Sequence, residues 1–233
     1  MAILLCLVFP AAGGAQEPAA PAPLTEALKA ALTASALKRV VGERYFKDTH
    51  GDLVTVRCTL DDSKKPAALK CRVEFRAVGA MRRESLTLRC TLGLDGRVRE
   101  SGFVLIRGRN RTEADGTVGD GTLVFAVRET ANSKTESRAV TVPWPADALP
   151  YTVAAFVMPL LELPAGQRVR VFHPVSLAVN TKASTLKRPK SGQVTLTDAY
   201  PGMNMVVAVK AGVVAEVRLG ERVRYTPITN AQA

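Results

Sequence analysis

From Arg44 onward the hydrophobic pattern repeats every two residues. Val54, Val56, Cys58 and Leu60 alternate with Thr55, Arg57 and Thr59. Cys71, Val73, Phe75 and Ala77 alternate with Arg72, Glu74 and Arg76, and Leu86, Leu88, Cys90, Leu92 and Leu94 with Thr87, Arg89 and Thr91. Successive side chains of a strand point to opposite faces, so these segments predict three half-buried strands, apolar on one face and basic or hydroxylated on the other. The turn residues Asp61 to Pro66 and Asp95-Gly96 separate them. Further strands are predicted at Phe103–Arg107, Leu123–Arg128 and Thr135–Val142, with the Gly-rich stretch Asp115–Gly121 as a hairpin tip. After a break at Pro143-Trp144-Pro145, strands resume at Arg168–Phe172 and Val175–Thr181. They continue at Val194–Thr197, Met203–Lys210, Val213–Leu219 and Arg222–Thr226. The turn dipeptides Ala211-Gly212 and Gly220-Glu221 make the last three a meander.

Two segments leave this rhythm. In Leu24–Val41, Leu24, Leu28 and Leu32 recur every four residues and Leu37, Val40 and Val41 continue the stripe, which predicts an amphipathic helix over 24–42. Thr152–Leu163 is apolar almost throughout and contains Pro159, which predicts a short kinked helix packed on a sheet. Many short strands, two helices and no βαβ alternation give a mainly β chain, with a single antiparallel domain over 43–228.

The N-terminus changes the setting. Ile3–Phe9 is an apolar run followed by Pro10 and the small residues Ala11 to Ala15, the layout of a signal peptide over 1–15 cleaved before Gln16. The run is too short for a membrane span, which needs about twenty apolar residues. Residues 16–23 then form a Pro/Ala linker. The expected location is therefore the periplasm or the medium of a bacterium. A net charge of +11 implies attraction to acidic surfaces. Basic residues alternate along strands instead of clustering, and aromatic residues make up only 5% of the chain, which argues against nucleic acid. A simply solvated basic exterior is the first expectation, with anionic envelope polymer or lipid as the partner expected beyond it.

The reactive residues form no recognisable machinery. Cys58, Cys71 and Cys90 all fall on apolar faces; Cys58–Cys71 and Cys71–Cys90 are alternative disulfides in an oxidising compartment, and three buried thiols are the third outcome. Their spacing matches no zinc motif. The chain has only two histidines, His50 in a turn and His173 at a strand end, and neither is placed beside a cysteine by the pattern. The expectation is therefore no catalytic residue, metal site or cofactor. Lys182, Lys187, Arg188 and Lys190, in the densest basic run, form either a solvated loop or a site for an anionic polymer.

An ordered series of short motifs completes the pattern. Tyr45-Phe46, the Gly96 hairpin, the Gly119/Gly121 turn with Leu123–Val127, and Val142-Pro143-Trp144-Pro145 come first. Leu163–Gln167, Val171–Leu177 and Glu216–Tyr225 follow. In this order the chain resembles an uncharacterised exported β-domain family of bacterial envelopes, whose members occur alone or in front of transglutaminase-like domains. His173 stands where that family carries aspartate. The resemblance implies a curved, half-closed antiparallel sheet, an open barrel, wrapped on a helix. On such a sheet a concave apolar face built from residues such as Val56, Phe75, Leu88, Leu105, Phe125 and Met205 is expected, either fully covered by the helices or holding an apolar ligand. The functional expectation is a non-enzymatic envelope binding or structural module. The alternatives are a periplasmic lipid or lipoprotein carrier with an apolar cavity, and an interaction domain for a separately encoded envelope enzyme.

Overall fold

The computed structural model describes residues 22–63, 65–77, 84–180, 182–200, 203–221 and 223–229. The predicted signal peptide and most of the Pro/Ala linker lie outside them. The chain begins with two short helices, α1 (Leu24–Ala31) and α2 (Ala34–Val40). The single helix expected over 24–42 is therefore broken at Leu32-Thr33. The break has a local cause: Thr33 is extended and its hydroxyl accepts a hydrogen bond from the Ala36 amide, starting a new helix. Leu24, Ala27 and Leu28 bury one face of α1.

Eight strands then follow one another: β1 (Gly42–Lys47), β2 (Leu53–Asp61), β3 (Ala68–Arg76), β4 (Glu84–Gly93), β5 (Val98–Arg107), β6 (Asn110–Val118), β7 (Thr122–Ala131) and β8 (Lys134–Pro143). The tip expected across Asp115–Gly121 shrinks to the residues between β6 and β7. A short β9 (Ala148–Pro150) leads into α3 (Tyr151–Phe156) and a 3-10 turn at Met158–Leu160. Pro159 sits in that turn, where its missing amide does least harm. The remaining strands are β10 (Arg168–His173), β11 (Ala178–Val179), β12 (Ser184–Lys187), β13 (Gln193–Tyr200), β14 (Met203–Lys210), β15 (Val213–Leu219) and β16 (Val223–Ile228). The strand expected over Val175–Thr181 thus contracts to two residues behind a 3-10 turn. Within the expected basic loop over 182–190, Ser184–Lys187 pairs with β13 instead.

One hydrogen-bonded path runs β11-β10-β12-β13-β14-β15-β16-β1 and on in sequence order to β8. Every step is antiparallel, and only the attachment of β9 to β10 is parallel. The sheet is curved and not closed, as the resemblance implies: β8 and β11, the two ends of the path, approach without pairing. The N- and C-terminal halves join where β1 lies beside β16, with Tyr45 opposite Ile228.

The apolar face encloses one continuous core. Phe46 and Phe156 pack with ring centres 5.7 Å apart, and Phe172 stacks on Phe125 at 5.7 Å and meets Trp144 edge-on at 5.4 Å. These contacts tie β1, β7 and β10 to α3 and to the segment after β8. Rings at such separations gain beyond their buried area.

Candidate functional site

The six residues expected on the concave face belong to one core or pack against it. Val56, Leu88, Phe125 and Met205 are buried, while Phe75 and Leu105 are partly buried against the same core. The face is occupied by the protein's own chain. Every residue of α3 is buried, as are Met158, Pro159 and Leu160 of the turn after it. The helix lies on β3 and β4, and the turn on β14 and β15. At the centre Phe156 meets Phe46, Tyr151 and Tyr225. Desolvation of Tyr225 in this packing pushes its phenol up to about 12, with the charge of Asp48 assisting.

The cysteines form a row beside that face. Cys58 is directly opposite Cys71, and Cys71 is directly opposite Cys90, on three consecutive strands. The Cys58 and Cys71 sulfur atoms are 3.4 Å apart, and all three thiols are free and buried. The hydrogen-bonded contact with Cys71 lowers the Cys58 thiol, helped by the charge of Arg44. The same contact, with burial, pushes the Cys71 thiol well up, and burial alone does most of this for Cys90.

The two histidines lie apart from the thiols in structural roles. His50 sits in the turn after β1, where Asp48 accepts hydrogen bonds from the His50 and Asp52 amides. His173 donates from Nε2 to the Ala199 carbonyl at 3.2 Å, which also accepts from Asn180. Burial lowers its pKa, so the imidazole is held neutral and pins the end of β10 to β13.

The residues of the basic run differ in their surroundings. Arg188 turns inward, donating to the Leu161 carbonyl at 2.6 Å and the Leu163 carbonyl at 3.0 Å, so it secures the chain leaving the 3-10 turn. Lys182, Lys187 and Lys190 remain exposed.

The cationic feature that the sequence reading missed lies on the other face of the sheet. Arg57, Arg72 and Arg89 stand directly opposite one another on β2, β3 and β4, and the row continues through Gly102 to Asp115. A second row runs beside it from Thr59 through Lys70, Thr91 and Glu100 to Thr117. Together they floor a groove of about 580 Å³ open to solvent. Gly102 keeps the floor low: a Cβ there would lie 2.6 Å from the Ala114 carbonyl oxygen and 2.9 Å from Asp115 Oδ1. Carboxylates hold the guanidiniums in place, Glu43 at 2.8 Å from Arg57, Glu74 at 3.6 Å from Arg72 and Asp115 at 2.8 Å from Arg89. Lys70 pairs with Asp61 at 2.7 Å, and Thr91 donates to Glu100 at 2.7 Å. Lys70 draws the half-buried Asp61 carboxyl down to about 2.

Among the described residues no helix is long and apolar enough to cross a membrane, and no three His, Cys, Asp or Glu side chains are grouped to hold a metal ion. No known protein family, curated protein or solved structure matches the chain.

Proposed function

We propose that this chain is a non-enzymatic, exported envelope binding module that presents polar sheet surface to its ligand and keeps its apolar face for itself. The observation that carries this reading is the occupation of the concave face by residues 151–161. A lipid carrier needs an unfilled apolar cavity of several hundred Å³, and here α3 lies where that cavity would open. The non-catalytic reading is supported by the thiols, which are all 3% exposed or less, and by His173, whose ring is committed to a backbone carbonyl. Export is supported by the sequence of residues 1–15 and by the resemblance to the envelope family.

Native mass spectrometry of the protein purified from an envelope fraction tests the reading. The expected spectrum shows the polypeptide without lipid. A stoichiometric lipid adduct would return the carrier alternative. Terminal sequencing of the same material is expected to find a mature N-terminus at or close to Gln16, and an intact Met1 in cytosolic material would overturn export.

A further inference from the structure

Three arginines standing side by side across neighbouring strands are a feature that folding does not favour. Like charges directly opposite on adjacent strands repel, and the strand spacing of about 4.8 Å sets the guanidinium-bearing positions at that interval. Any neutral polar residue at Arg72 would keep the alternation and remove the repulsion. The side chains are more than a third exposed, at 61%, 58% and 40%, so they are not consumed by the core. Their ion pairs are of the exposed kind, which is weak and exchanges readily for a ligand's own anions.

The geometry points to this groove as a binding site for an anionic glycan, a sugar chain bearing repeated carboxylates that lies across β2 to β6. The inference rests on the binding-module reading and supplies its ligand class. Arg57, Arg72 and Arg89 give a ladder of planar forks, each matched to a carboxylate. The row beside it has a different chemistry: Thr59 and Thr117 offer hydroxyls, and Glu100, which accepts from the buried Thr91, offers its remaining acceptor sites. Four cationic side chains and two carboxylates line the groove, and Glu43, Asp61 and Glu74 pair with three of the cations from its rim, so a ligand's carboxylates enter by exchange with these exposed pairs. Glu100 and Asp115 accept hydrogen bonds from sugar hydroxyls, whereas they repel the dense charge of a polyphosphate or a nucleic acid. Among the described residues no aromatic side chain lines the groove to stack on bases. The Arg89–Asp115 ion pair, 2.8 Å long, lies across the bare backbone of Gly102, so an incoming carboxylate competes with Asp115 for Arg89.

The test is calorimetric titration of the mature protein with oligogalacturonate, with neutral dextran, polyphosphate and oligo-thymidylate as comparisons. Oligogalacturonate is expected to bind, with affinity falling as salt rises, and dextran is not. Arg72→Gln and Arg57→Gln are each expected to weaken binding about tenfold, the size of one charge-assisted contact. Because Arg72→Gln also relieves repulsion, its melting temperature is expected to equal or exceed that of the parent, which separates lost binding from lost fold. Unchanged affinity in Arg72→Gln overturns the site, as does loss of binding in Lys187→Gln/Lys190→Gln alone. Tighter binding of polyphosphate or oligo-thymidylate overturns the ligand class. A lipid adduct in the native spectrum would overturn the binding-module reading and still leave the Arg72 comparison readable.

Discussion

Cys58 and Cys71 face each other across β2 and β3 with their sulfur atoms 3.4 Å apart, and Cys90 continues the row on β4. Directly opposite residues bring their Cα atoms within the range a disulfide needs. The middle thiol has a neighbour on either side, and only one bridge forms at a time. Cys58 is the one whose thiol is lowered, by its contact with Cys71 and by Arg44, so it is the thiolate that attacks the disulfide of an external oxidant; Cys71 then displaces the oxidant's second sulfur as a thiol, leaving Cys58–Cys71 oxidised and the oxidant reduced. The expected oxidised protein carries Cys58–Cys71 and one free thiol, Cys90. The bridge closes a loop of about fourteen residues and contributes on the order of 3 kcal/mol, less strain. Thiol counting on denatured, non-reduced protein, followed by peptide mapping, checks this; three free thiols or a Cys71–Cys90 bridge would contradict it.

Phe156 is the centre of the plug on the apolar face, fully buried against Phe46, Tyr151 and Tyr225. Phe156→Ala should cost about 3–5 kcal/mol, the usual loss for a buried ring that leaves a cavity. The same substitution opens an apolar void where a carrier would hold its cargo. An apolar dye that ignores the parent protein should therefore gain fluorescence with the variant while the variant remains folded. Equal dye binding by both proteins would mean that the face is already accessible.

Alkaline pH should weaken the fold through Tyr225. Its folded pKa of about 12 lies above the ordinary value of 10.0, so the folded state prefers the neutral phenol. Below pH 10 both states keep the proton and the contribution is complete. Between pH 10 and 12 the unfolded chain ionises first, and stability falls. Two pKa units correspond to roughly 2–3 kcal/mol. Denaturant unfolding at pH 9, 11 and 12 should show the decline, and Tyr225→Phe should flatten that part of it.

The cysteines show how far the sequence carries. Alternation alone placed Cys58, Cys71 and Cys90 on one side of three strands, and the structure has them there. Once they are aligned in a row, the adjacent positions Arg57, Arg72 and Arg89 must align on the opposite face, because each is one residue from a cysteine in the direction that antiparallel pairing demands. The arginine row was therefore implicit in the pattern. What was missing was the register, which the turn at 61–66 leaves open by two residues. The inward role of Arg188 within the basic run over 182–190 was hidden for another reason. Local charge density says nothing of distant carbonyls, and Arg188 serves those of Leu161 and Leu163. The break at Thr33 was also hidden, since a capping threonine looks the same as any other threonine within a helical stripe. The plug was only half visible: the apolar run at 152–163 predicted a helix on a sheet, but not which strands it covers.

Gly96 fixes α1 to the end of the sheet. It closes the turn between β4 and β5, donating its amide to the Gly93 carbonyl at 2.9 Å, with a φ of +80°. The tip also presses on the helix backbone, since a Cβ at Gly96 would lie 2.1 Å from the Thr25 carbonyl oxygen and 2.9 Å from the Lys29 amide. No backbone of α1 can yield that distance without the helix lifting. Gly108, in the tip between β5 and β6, provides the control: its φ is +60°, but nothing lies within 4 Å of its added Cβ. Gly108→Ala should therefore cost only the left-handed backbone penalty, about 1–2 kcal/mol. Gly96→Ala should cost that amount plus the docking of α1, and limited proteolysis should begin cutting between Leu24 and Ala31, where the parent resists. If the two variants melt together and α1 stays protected in both, the helix is not held by the β4–β5 tip.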